Sequence, residues 1–164
     1  MTPRLKLTRL TFLAAAALMM ALPLMSPPAQ AQNALSMLEG SWAGGGTIVL
    51  SNGSRERISC RASYAVPGST LQLALRCASD SYTFDFRATG TLQGNNISGN
   101  WDESTRYAAG TFSGVVNGPQ INARADGQTF SALLTLTTRG SRQTISIRSP
   151  GSTLSEATIV LSRR

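Results

Sequence analysis

The chain has no histidine, and its single lysine, Lys6, stands near the start of the sequence. Histidine-based triads and lysine nucleophiles are therefore excluded from almost the whole chain. Cysteine is also scarce, with only Cys60 and Cys77. Sixteen residues separate these two cysteines, and no histidine completes a ligand set, which argues against a zinc site. We therefore expect a non-enzymatic protein that uses neither a metal nor a cofactor.

The first 31 residues have the layout of a secretory signal peptide. Three basic side chains come first, Arg4, Lys6 and Arg9. An apolar run follows from Leu10 to Met25, too short at 16 residues for a typical membrane-spanning helix of about 20. Ala29-Gln30-Ala31 then matches a cleavage site, which makes Gln32 the first residue of the mature protein. We predict a periplasmic or secreted protein with no integral membrane segment after processing.

Residues 32–164 are long enough for one domain with its own core. Removing the three basic residues of the leader leaves 12 arginines against 8 acids, a net charge of +4. A basic exported surface favours an envelope protein or an anionic glycan as partner, although solubility explains the same charge. Without a basic cluster, nucleic acid is not expected as a partner.

Cys60 and Cys77 lie on two alternating apolar stretches that flank a turn at Pro67-Gly68-Ser69. If the turn centres between Gly68 and Ser69, Cys60 faces Cys77 directly, and Tyr64 faces Leu73. Directly opposed cysteines are close enough for a disulfide. The pattern therefore predicts a β-hairpin with a disulfide between its two strands, as expected in an oxidising compartment.

The same register places Arg57, Arg61 and Arg76 on the outer face of the hairpin. Arg61 would then face Arg76, and Arg57 would face Asp80. Like charges placed directly opposite are usually unfavourable. The three arginines are therefore candidates for an anion-binding patch, and the alternative is an ordinary solvated face.

Short alternating stretches continue to the end of the chain, separated by turns every 8–12 residues. The pattern predicts an all-β, single-domain antiparallel up-and-down meander, closed into a barrel of about 8–10 strands. Gly44 to Gly46, inside the first strand, predict either a bulge or a close backbone approach.

The face opposite the arginines is apolar, so the interior of this barrel carries little charge. Such a barrel is either filled by side chains or holds one small ligand. If it is open, the ligand should be apolar or aromatic. The candidate lining residues are Trp42, Tyr64, Phe84 and Trp101.

Three Gly-x-aromatic segments resemble those of calycins, the barrel group that includes lipocalins and avidins. They are Gly40-Ser41-Trp42, Gly99-Asn100-Trp101 and Gly110-Thr111-Phe112. The resemblance implies a binding module for a small apolar ligand or an envelope component. The tryptophan set of a biotin pocket is missing, so biotin is not implied.

Two other functions remain open. The chain is also similar to small periplasmic inhibitors of bacterial metalloproteases, whose N-terminal arm would correspond to Gln32–Leu38. A glycan hydrolase would instead need a pair of carboxylates. The candidates for that pair are Asp80, Asp85, Asp102 and Glu103.

Overall fold

The computed structural model describes residues 34–128 and 130–164, which form an all-β protein with almost no helix. Ten strands follow one another along the chain. They are β1 (Gly40–Leu50), β2 (Arg55–Ala65), β3 (Thr70–Ala78), β4 (Thr83–Gln93), β5 (Asn96–Glu103), β6 (Ala108–Asn117), β7 (Gln120–Gly127), β8 (Ser131–Arg139), β9 (Arg142–Arg148) and β10 (Leu154–Arg163). The predicted signal peptide, residues 1–31, lies outside the described residues.

The ten strands form one closed antiparallel barrel. Each strand pairs with its neighbours in sequence, and β1 closes the barrel by pairing with β10 along most of its length. The predicted up-and-down meander is therefore confirmed, with a strand count at the upper end of the expected range. Closure leaves no sheet edge unpaired in these ladders, which removes the main route to edge-to-edge aggregation.

The hairpin of β2 and β3 has the predicted register, and Cys60 and Cys77 form a disulfide across it. Tyr64 also faces Leu73, as predicted. The prediction that Arg57 faces Asp80 is wrong, because the β2–β3 ladder ends at the pair Ser59–Ala78. Arg57 instead faces Thr47 on β1.

Gly44 to Gly46 mark a close backbone approach and not a bulge. A Cβ atom on Gly44 or Gly46 would collide with a β10 carbonyl, and one on Gly45 would collide with the Ile58 carbonyl of β2. The register shift of β1 lies further on, between Val49 and Leu50. Only glycine fits where the backbone must pass this close to its neighbours.

The two ends of the barrel differ. The loops that follow odd-numbered strands lie at one end, here called the loop end. At the other end, residues 34–39 form a short helical turn and bend that we call the plug. Leu35 and Leu38 of the plug are completely buried among the inward-facing side chains. The plug therefore closes the end of the barrel opposite the loop end.

Two residues at the ends of the barrel sheet fasten the plug. The indole Nε1 of Trp42 donates a hydrogen bond to the Leu38 carbonyl at 2.7 Å. The Arg163 guanidinium lies 4.4 Å from the Trp42 ring centroid and donates to the carbonyls of Met37 and Glu39. Residues 34–38 of the predicted inhibitory arm are thus packed into the fold, whereas Gln32 and Asn33 lie outside the described residues.

The disulfide is consistent with a periplasmic or extracellular location, since such bonds persist in oxidising compartments. Within residues 34–128 and 130–164, no helix has the length and apolar character needed to cross a membrane.

Candidate functional site

A cavity of about 450 Å³ occupies the barrel interior and extends to the loop end. Its walls come from the inner faces of β2 to β9, from the first residue of β10 and from the loop-end connections. Most of the lining is apolar, because alternation along each strand directs one set of side chains inward. The aliphatic part of the wall comprises Leu73, Leu75, Leu134, Leu136, Ile145, Ile147 and Leu154.

One side of the cavity carries a continuous row of five aromatic rings, here called the aromatic row. In order they are Tyr82, Phe84, Phe86, Trp101 and Phe130. Successive ring centroids are 6.5, 5.5, 5.8 and 5.5 Å apart. Offset aromatic pairs at such distances stabilise one another beyond the free energy of apolar burial alone, so these contacts stabilise this wall.

Three of the four predicted lining residues line this cavity: Tyr64, Phe84 and Trp101. Trp42 is buried, but it packs against the plug and does not belong to the lining. Its indole position near the start of β1 places it beyond the floor of the cavity. Alternation correctly put Trp42 on the inner face, but the pattern carries no information about depth along the barrel.

The polar atoms near the cavity floor are paired with one another. The Tyr64 hydroxyl donates to Oε1 of Gln143 at 2.8 Å, and Nε2 of Gln143 donates to Thr138 at 3.2 Å. Gln143 and Thr138 are fully buried. Burial raises the pKa of Tyr64, so this phenol stays neutral and adds no charge to the lumen.

Glu103 is a buried carboxylate at the loop end of the cavity. Its oxygens accept hydrogen bonds from the backbone N–H groups of Asp85, Thr105 and Arg106 at 3.0, 3.0 and 2.9 Å, and from the Thr105 hydroxyl. Burial alone would raise the pKa of Glu103, but these donors and the nearby Arg106 outweigh it and lower the pKa.

Arg106 completes the polar cluster at the cavity mouth. Its guanidinium lies 3.5 Å from Glu103 and 4.0 Å from the centroid of the Tyr82 ring. Sequence reasoning did not single out Arg106 or Tyr82 as site residues. Glu103 follows Trp101 by two positions, so alternation alone could have placed its carboxylate inside the barrel.

The other candidate carboxylates do not join Glu103. Asp85 pairs with Arg76 on the outer face at 2.9 Å, and Asp102 and Asp80 are exposed. Among the described residues that line the cavity, Glu103 is the single carboxylate. Glycoside hydrolases position two such groups around one bond, and this arrangement does not provide that pair.

A second concave site of about 440 Å³ lies on the outer wall of the barrel, and we call it the outer groove. Small side chains form its floor: Ser41, Ala43, Ser63 and Ala74. Longer charged side chains surround it: Arg61, Arg76, Asp85, Arg87 and Arg164. Arg61 directly faces Arg76, as predicted, whereas Arg57 does not line the groove.

No family model matches the chain, and no curated protein matches it. Solved structures do share its fold. Rv2717c from M. tuberculosis superposes with a TM-score of 0.67 at 17% identity, over 85% of this chain and 99% of that chain. The S-type phycobiliprotein lyase CPES from Guillardia theta superposes with a TM-score of 0.59 at 8% identity, over 81% and 91%. At these identities the likeness shows the fold alone, which is a calycin-like barrel.

Proposed function

We propose that this protein is an exported, non-enzymatic binding module that holds a small apolar molecule in the barrel lumen. The cavity of about 450 Å³ carries this proposal, because it is large, mostly apolar and bounded by the aromatic row. Ligand sites in proteins are typically concave, apolar and about 300–1,000 Å³ in volume, with a few placed polar groups. Export is supported by the disulfide and by the signal-like composition of residues 1–31.

The polar groups of the lumen favour a ligand with an apolar body. Tyr64 is already bonded to Gln143, and Glu103 is already bonded to the backbone and to Arg106. A ligand therefore does not need to satisfy them, and its affinity would come from apolar burial at about 25 cal/mol per Å². The aromatic row further favours ligands that contain rings, since ring pairs gain about 0.5–1.5 kcal/mol beyond burial.

A neutral fluorescent probe tests this proposal. N-phenyl-1-naphthylamine is apolar and aromatic, and its emission increases when it leaves water. We expect saturable one-to-one binding to the disulfide-bonded protein. Ala108 lines the cavity mouth, whereas its neighbour Ala109 is exposed on the outer face. Ala108→Phe should weaken binding at least tenfold, and Ala109→Phe should leave it within twofold.

Urea unfolding of both variants shows whether each remains folded. Equal affinities for Ala108→Phe and Ala109→Phe, with both folded, would place the probe outside the lumen and reject the proposal. If the lumen binds the probe, native mass spectrometry of the exported protein after mixing with an envelope extract would give the mass of the natural ligand. An added protein mass in place of a small one would favour the interaction alternative.

A further inference from the structure

The outer groove has an arrangement that its solvated position does not require. Two adjacent cross-strand rows build it. The first row runs Ala43, Arg61, Arg76 and Asp85 across β1 to β4. The second runs Ser41, Ser63, Ala74 and Arg87 across the same strands. The small side chains of β1 and of the second row create a depression beside long arginines.

The positive charge in the groove is only partly compensated. Arg76 pairs with Asp85, but Arg61 and Arg87 form no ion pair with any described residue. Arg61 also stands directly opposite Arg76, an arrangement of like charges that destabilises a sheet. With Arg164, the side chains of four arginines and one aspartate line the groove, and their net charge is +3. Asp102, which faces Arg87 from β5, lowers the local charge to +2.

Arg61 and Arg87 can reach one shared group. They lie two strands and two residues apart, which places their Cα atoms about 12 Å from each other by ordinary strand spacings. Extended arginine side chains from both positions can therefore converge above Ser63 and Ala74, the small residues between them. Guanidinium groups present planar, paired N–H donors that match phosphate oxygens in a bidentate manner.

We propose that the outer groove is a second binding site, which takes a small soluble molecule bearing phosphate groups. Arg61 and Arg87 bind the phosphate oxygens, Arg76 contributes charge while paired with Asp85, and the small floor admits the body of the ligand. A phosphate group carries a charge of about −1.5 to −2 near pH 7, which matches the local excess better than a single carboxylate does. The site is independent of the lumen, because the two lie on opposite faces of the same strands.

Calorimetric titration with inorganic pyrophosphate at low salt tests the proposal on the disulfide-bonded protein. We expect one site per chain. Arg61→Gln and Arg87→Gln should each weaken binding at least tenfold. Arg57→Gln is the matched control, because Arg57 is an exposed arginine on the same face of β2 but outside the groove. It should change the affinity less than twofold.

Two further measurements sharpen the result. Arg61→Lys keeps the charge but loses the paired donors, so it should bind pyrophosphate more weakly than the wild type does. Binding of N-phenyl-1-naphthylamine should be unchanged in all four arginine variants, which separates this site from the lumen. Absence of pyrophosphate binding, or an equal loss in Arg57→Gln and Arg61→Gln, overturns the proposal. Binding to phosphatidylglycerol vesicles without binding to pyrophosphate also overturns it, in favour of a lipid surface.

Discussion

Glu103 is the residue whose environment differs most from the apolar surface around it. Its side chain is only 4% exposed, yet three backbone donors, one hydroxyl and Arg106 favour its ionised form. This carboxylate organises residues 104–106 at the mouth of the cavity. Tyr107, next in sequence, is 97% exposed and adopts a positive φ of 53°, which a tyrosine rarely does. The hydrogen bonds to Glu103 hold the turn in this shape.

Glu103→Gln should lower the free energy of unfolding by about 2 kcal/mol at pH 7, because hydrogen bonds to a charged acceptor are lost. The pKa of Glu103 in the folded protein lies below its ordinary value of 4.5. Its contribution to stability is therefore complete above that value and disappears as the pH falls through the lowered pKa. Urea unfolding at pH 7 and pH 3 should thus show a smaller difference between wild type and variant at pH 3.

Asp102→Asn is the control for this prediction, since Asp102 is the adjacent carboxylate but points to the outer face. It should change stability by less than about 0.5 kcal/mol. A difference between Glu103→Gln and wild type that stays the same at pH 7 and pH 3 would contradict the assigned role of the ionised carboxylate.

Alternation along the strands explains which side-chain positions the sequence predicts and which it does not. Period-two alternation predicts which face a side chain occupies, so the Cys60–Cys77 bond and the inner positions of Tyr64 and Trp101 were predictable. It does not record depth along the barrel, which is why Trp42 was expected in the cavity. Clusters such as Glu103 with Arg106 depend on how a loop folds back, and alternation does not extend into loops.

At the scale of elements, the plug is the feature that most changes the interpretation of the sequence. The resemblance to protease inhibitors places an N-terminal inhibitory arm at Gln32–Leu38, of which the structure describes residues 34–38. Instead Leu35 and Leu38 fill the end of the barrel, and Trp42 and Arg163 bind the plug backbone. The three helical residues that the structure describes, 34–36, give too weak a periodic signal to reveal this packing in the sequence.

Leu35→Ala should lower the free energy of unfolding by about 3 kcal/mol, the usual range for removing a fully buried leucine side chain. Glu39→Gln, a change at an exposed position of the same segment, should have an effect below about 0.5 kcal/mol. Urea denaturation of both variants measures the difference. A Leu35→Ala protein as stable as the wild type would contradict the packing of the plug and would favour the inhibitor alternative.

For the whole molecule, closure of the barrel and the disulfide are separate sources of order. The ring is completed by the β1–β10 ladder, whereas the disulfide joins β2 to β3 within one hairpin. Sequence predicted the closed meander well because nearly every connection is a short turn between alternating stretches. Strand count followed from the number of turns, but the pairing of the first strand with the last had to be inferred from the need to hide both edges.

Replacing both cysteines with alanine should lower the free energy of unfolding by about 3 kcal/mol. Without the bond, a loop of this length regains conformational entropy in the unfolded chain, which stabilises that state by roughly this amount. The barrel should still form, because no other ladder depends on the bond. Far-ultraviolet circular dichroism should therefore be unchanged, while the urea midpoint falls. Reducing the wild-type protein should produce the same shift. Loss of the β-sheet signal in either case would show that closure itself requires the bond.

Because the plug fills one end of the barrel, the lumen is a dead-end chamber. A ligand would enter and leave through the same opening, between Tyr82, Arg106 and Phe130. Its dissociation rate would then depend on how often the loops at the opening separate, and not only on the affinity of the cavity for it. A macromolecule bound over the loop end would slow dissociation of the ligand without contacting the cavity floor. A barrel that is filled at one end does not let a ligand pass through from one end to the other.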